Sequence, residues 1–319
     1  MGALALLPLV ARAWDLSPDA TRILSDPSFL PSGGQLFGST LFNYNQLSSN
    51  TANYLGSPQS SNTTDTTTLN QLFEFGVTDD LCLRVSDIYQ VQGATNTNAS
   101  GASTVTTSTG FGDPNFTAVW RFLDEKTQPF NWDLIGTYTP NLFSAETGTQ
   151  DQFGTLARGG ATAAVGSALS YETRGLTVYG LFLATYLDGR DILNQATNVT
   201  VSYEPSWQYA FEIMTQTRFA DDWSLNAGVS QTYADDASAS FVTTAGKTVS
   251  FTTQPGQLTM LSASLNYQVT PGGFAASFLY SHDFYGDGGN DYPTLPKNDT
   301  TTSGKQADIF GAMARYAFN

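Results

Sequence analysis

Ser281-His282-Asp283 sets a hydroxyl, an imidazole and a carboxylate side by side, the three groups of nucleophilic hydrolysis. That chemistry needs all three on one face, with the histidine drawing the hydroxyl proton and the carboxylate orienting the ring. The tripeptide lies in a period-2 pattern, Phe278, Tyr280, His282, Phe284, so adjacent side chains point to opposite faces of a strand. His282 therefore cannot bond either neighbour and groups with aromatics at an interface. It is the single histidine, and Cys82 is the single cysteine. Phospholipase and protease chemistry both usually need a histidine base, and a multi-His metal site needs several ligands. The acids Glu146, Asp151, Asp191, Asp235, Asp236, Asp287, Asp291 and Asp299 are spread along the chain without calcium-loop spacing, so ordinary solvation accounts for them better than bound divalent ions. Phosphate-binding and dinucleotide fingerprints are absent. The expectation is a protein without catalytic residues, metal or cofactor.

What positions these residues is written in the composition. The 319 residues include 13 Lys+Arg against 28 Asp+Glu, a net charge of -15 that repels nucleic-acid phosphate. Only 13% of residues are charged, about half the share of ordinary soluble domains, while 13% are aromatic, far too many for disorder. Beyond the first dozen positions no apolar run approaches the roughly 20 residues of a membrane helix. A β-rich body remains.

Period-2 alternation supports this. Leu261-Ser-Ala263-Ser-Leu265-Asn-Tyr267-Gln-Val269 has one apolar and one polar face, as do Trp223 to Val229, Trp207 to Ile213, Phe116 to Phe122 and Phe130 to Leu134. Twelve such segments are expected at about 35–47, 63–76, 81–92, 114–123, 130–140, 161–173, 176–188, 203–219, 223–234, 257–269, 274–285 and 306–318. Short links such as Val77 to Asp80, Asp124 to Gln128, Thr173 to Gly175, Ala220 to Asp222 and Thr270 to Gly273 alternate with long ones rich in Ser, Thr, Asn, Gly and Asp. A soluble sandwich has no reason to segregate its connections this way. An all-β, up-and-down antiparallel transmembrane β-barrel does, with short periplasmic turns and long extracellular loops.

The first residues, Met1 to Trp14, read as an apolar stretch closed by Ala11-x-Ala13, the pattern of a secretory signal lacking its basic start. Residues 1–13 are expected to be a truncated signal, 14–34 a periplasmic N-terminal extension or plug, and 35–319 the barrel. Parity puts Glu74, Arg84, Arg121, Asp133, Glu172, Glu212, Arg218 and Arg315 on the lumen face. They suit either a charged constriction that selects solutes or a salt-bridge lattice that closes the barrel, and four bases against four acids favour pairing slightly. Trp120, Phe122, Phe130, Trp132, Tyr171, Trp207, Phe219 and Trp223 cluster near strand ends and are expected to form interfacial girdles. The closing strand alternates and ends on Tyr316 and Phe318, similar to the C-terminal signal by which the barrel-assembly machinery takes up outer-membrane barrels; Met313 and Asn319 depart from that signal.

Four motifs carry a further resemblance: Gly110-Phe-Gly-Asp113 leading into Asn115 to Phe122, Phe75-Gly-Val-Thr-Asp-Asp80-Leu, Gly136-Thr-Tyr-Thr-Pro140, and Arg315-Tyr-Ala-Phe318. With these the chain resembles the transporter-like outer-membrane barrels of the MetA pathway of phenol degradation. The resemblance implies transport without naming a cargo. The combined expectation is a passive channel or uptake barrel for small solutes, including hydrophobic or aromatic ones, in the outer membrane of a Gram-negative bacterium. Its partners would be membrane lipid and lipopolysaccharide, with oligomers possible. A closed structural or surface-interaction barrel is the alternative, and an outer-membrane hydrolase the least favoured.

Overall fold

The computed structural model describes residues 27–53, 55–125, 128–143, 145–147, 159–173, 175–194, 198–270 and 273–318, so the expected signal at 1–13 and residues 14–26 lie outside the described residues. Among those described, twelve strands run antiparallel in chain order. They are β1 (Leu36–Asn53), β2 (Pro58–Gly76), β3 (Leu81–Asn98), β4 (Ser103–Phe111 and Asn115–Leu123), β5 (Asn131–Thr139) and β6 (Thr162–Thr173). The second half comprises β7 (Leu176–Leu187 and Arg190–Asn194), β8 (Val199–Tyr203 and Ser206–Ala220), β9 (Trp223–Ala234 and Ala237–Val242), β10 (Thr248–Gln254 and Leu258–Thr270), β11 (Phe274–Tyr285 and Gly288–Asp291) and β12 (Thr300–Phe318). The last strand returns to the first, from Leu36↔Phe318 to Asn53↔Thr300. The sheet is therefore a closed barrel, and at the level of the membrane wall each described strand pairs with a neighbour on both sides.

Alternation explains the wall. Outward positions carry exposed apolar side chains, among them Phe42, Phe73, Leu83, Val165, Ile213 and Phe278. Exposure of so much apolar surface around a whole molecule is unfavourable in water and is the expected outer face in lipid. Inward positions at the lower end are polar and buried, including Glu74, Arg121, Asp133, Gln216 and Asn266.

The periplasmic strand ends fall within a residue or two of expectation, but much of the long-loop sequence turns out to be strand. β1 and β2 continue to Asn53 and Pro58, β3 to Asn98, and β4 and β7 to β11 each add a second short segment after a break. The reason is physical. Above the membrane both faces meet water, so Thr- and Ser-rich strand there carries no alternation to read. Three of these hairpins close alike: Gly56, Gly101 and Gly246 take positive φ and donate to Asn53, Asn98 and Thr243 carbonyls at 2.8, 2.9 and 2.8 Å. Only glycine takes that conformation without strain. Asn53 Oδ1 also accepts from the amides of Leu55 and Ser57, and Asn98 Oδ1 from those of Ser100 and Ala102. Above the start of β6 the wall is completed differently, by Ala145–Thr147 pairing parallel to Ile192–Asn194.

A barrel closed by hydrogen bonds along every seam should resist detergent until heated. The expected result is faster gel migration of the unboiled protein in dodecyl sulfate than of the boiled protein; identical mobilities would count against closure.

Candidate functional site in the barrel lumen

The lower lumen is filled by two ion-pair groups built from five strands. Glu74 on β2 forms an ion pair with Arg84 on β3, Nε to Oε1 at 2.9 Å, and accepts a hydrogen bond from the Arg315 guanidinium on β12. Arg121 on β4 grips Asp133 on β5 with two parallel hydrogen bonds, Nε to Oδ1 at 2.8 Å and Nη2 to Oδ2 at 3.0 Å. Paired geometry of this kind offsets the desolvation of buried charge. Around them runs a neutral polar layer: Asn131 donates to Ser170, while Gln216 and Asn266 both donate to Ser224.

The chain ahead of β1 completes this floor. Ser28 to Pro31 are buried inside the periplasmic mouth. The Ser28 carbonyl accepts from Arg121 Nη2 at 2.6 Å, and Arg315 lies over the Phe29 ring, 4.6 Å from its centroid. Phe29 meets Phe37 edge-on at 5.2 Å, and Leu30 packs with Cys82 and Val119. Gly76 makes this path possible. A Cβ there would lie 2.1 Å from the Ser32 carbonyl oxygen, and the Gly76 carbonyl itself accepts from Gly34 at 2.7 Å.

Above the floor the lumen changes character. A cavity of about 320 Å³ is walled by Leu41, Met214, Met260, Leu279 and Ile309. Parity predicts a polar lumen, so these inward apolar side chains correct the simple two-face expectation. A trace exists in the sequence: Leu41-Phe42, Ile213-Met214, Met260-Leu261, Leu279-Tyr280 and Ile309-Phe310 are adjacent apolar pairs, which put apolar groups on both faces at once. Met214, Met260 and Met313, all the methionines after Met1, share the inward parity. Thioether side chains reshape easily around varied ligands. Nearer the extracellular end Lys305 Nζ sits 4.1 Å from the Tyr285 ring centroid, and Arg190 lies over Tyr203.

Of the eight inward charges, Glu74, Arg84 and Arg315 meet in one group, and Arg121 and Asp133 in another. Glu172 and Arg218 are half-buried near the periplasmic ends of β6 and β8. Glu212 stands apart, lining the mid-lumen cavity. Trp120, Trp132, Tyr171, Phe219 and Trp223 are exposed at the periplasmic end, where Phe122 packs 4.8 Å from Trp132. Phe130 lies there too, in the turn ahead of β5. Trp207 is at the opposite end, beside Tyr186 at 5.4 Å. Tyr316 and Phe318 contact one another at 5.0 Å, and Phe318 stacks on Phe73. His282 points outward and bonds Asp308 at 2.8 Å, whereas Asp283 is buried and Ser281 lines the cavity, so the three do not assemble for catalysis.

Glu74→Gln leaves two buried guanidinium groups facing a neutral amide. The expected loss is about 3–5 kcal/mol of stability, read as a lower urea midpoint of the heat-sensitive band. An unchanged midpoint would show that the pairing contributes little.

No protein-family model and no curated protein matches the chain, so the four-motif likeness to the MetA-pathway barrels remains a resemblance. Solved structures do match. An outer membrane channel from Pseudomonas putida F1 is similar over 93% of this chain and 100% of that one, with 15% identity and a TM-score of 0.60. The transport unit of the autotransporter AIDA-I from Escherichia coli is similar over 99% and 98%, with 10% identity and a TM-score of 0.58. The two share a shape and differ in task, so at such identities the likeness describes the fold, which is that of an outer-membrane β-barrel.

Proposed function

We propose that this protein is a passive channel for small hydrophobic solutes, aromatic ones included, across the outer membrane of a Gram-negative bacterium. The observation that carries the reading is the apolar, methionine-containing cavity in mid-lumen. A barrel serving only as a wall or surface scaffold gains nothing from placing apolar side chains where water would otherwise fill the interior. A channel for sugars or ions would line that level with polar groups. Diffusion down a gradient needs a site that binds weakly and releases, and it needs no covalent chemistry. The likeness to a bacterial outer membrane channel agrees with this reading. Lipid and lipopolysaccharide would contact the outer face, and Tyr316 with Phe318 would present the closing strand to the barrel-assembly machinery.

A closed structural or surface barrel is favoured by one specific feature, the filled floor around Phe29 and Arg315. In the channel reading, Ser28 to Pro31 act as a plug that must move for solute to pass. Planar-bilayer recordings separate the two. Deleting residues 27–34 is expected to raise single-channel conductance several-fold. Gly76→Val, whose side chain collides with the Pro31 and Ser32 backbone, should give a similar rise without shortening the chain. Discrete steps absent from both variants would sink the channel and leave the closed barrel.

A further inference from the structure

The carboxylate of Glu212 is out of place among the lumen charges. The two inward acids with described ion pairs sit in the floor, Glu74 between two arginines and Asp133 on Arg121. Among the described residues no lysine, arginine or histidine pairs with Glu212, and no hydrogen bond reaches its carboxylate. It projects from β8 at the level where Leu41, Met214, Met260, Leu279 and Ile309 wall the cavity. Three other inward cations are engaged elsewhere, Arg84 and Arg315 with Glu74 in the floor and Lys305 over the Tyr285 ring.

An acid beside an apolar cavity without a counter-ion loses hydration and gains nothing in return, a cost that native interiors rarely carry. A ligand with its own positive charge removes the cost. An ammonium group suits a carboxylate as donor and counter-charge, and Asn43 and Ser281 add neutral side-chain oxygens to the cavity lining. Most of the exposed wall is apolar, from Leu, Ile and Met side chains, with Asn226, Ser262 and Ser264 as further neutral polar groups, and about 320 Å³ lies at the lower end of the range for small-ligand sites. We propose that the mid-lumen cavity binds an apolar molecule carrying a single protonated amine, with Glu212 holding the ammonium and the Leu, Ile and Met side chains holding the body. This rests on the channel reading and specifies its substrate class. A neutral alcohol of the same skeleton fills the cavity and leaves the carboxylate without a counter-charge. A carboxylated analogue sets like charges together and is excluded.

The experiment is calorimetric titration of the full barrel in lipid nanodiscs at neutral pH with 4-phenylbutylamine and 4-phenylbutanol, with empty nanodiscs subtracted. Wild type should bind the amine about tenfold more tightly, the size of one charge-assisted hydrogen-bonded contact. Glu212→Gln should abolish that preference while leaving alcohol affinity within about twofold. Glu212→Asp, which keeps a shorter carboxylate, should retain part of the preference, and heat-shifted mobility verifies that both variants fold. Equal affinities in wild type, or a preference that survives in Glu212→Gln, overturns the inference. Conductance of the plug-deleted barrel reports the channel reading separately. A conducting barrel that shows no amine preference sinks the inference alone, and a barrel that neither conducts nor binds either probe sinks both.

Discussion

Backbone pairing is the constraint from which the rest of this structure follows. Hydrocarbon offers no partner for a peptide N–H or C=O, so a chain without membrane helices can cross only as a sheet that closes on itself. The register of β1 with β12 supplies that closure along the full length of both strands. Once the wall is closed, each strand has one face in lipid and one in an interior too narrow to be ignored. The interior must then be filled, wetted or occupied.

This chain does different things at different heights. At the periplasmic end the filling is charge against charge, with Phe29 and Leu30 from the leading segment sealing the remaining space. Such a floor is interlocked because Glu74 serves two guanidinium groups and Arg121 bridges Asp133 to the Ser28 carbonyl, so removing one group leaves the others unsatisfied. In mid-lumen, side chains of Leu, Ile and Met replace it and leave volume unfilled. At the extracellular end the strands outgrow the membrane, break, and continue as a polar rim. The result is a vessel with a polar lip, an apolar middle and an ion-paired base.

Much of this was legible in the residues. Leu261 to Val269 and Trp223 to Val229 announce strand and face by alternation alone, and the tight links at Val77 to Asp80 and Asp221-Asp222 mark one end of the barrel. The inward parity of Glu74, Arg84, Arg121, Asp133 and Arg315 was equally readable. Above the membrane the signal vanished, as at Ser103 to Thr109, because water on both sides removes any reason to alternate. The apolar cavity was half-visible, hidden in pairs such as Ile213-Met214 that look like simple hydrophobic emphasis.

Strand number, face assignment and the polarity of the two ends follow from local rules of period and turn chemistry, which act over a few residues and so are written in short stretches of chain. Which inward residues lie level with one another was decided only by closure. Glu74 and Arg315 are 241 residues apart, and no local pattern relates them. They meet because β12 returns to β1 with a definite stagger, and the stagger of a barrel is a property of the whole ring. The same closure left Glu212 beside the cavity with no ion pair among the described residues, and gave Ser28 to Pro31 a mouth of the right width to occupy.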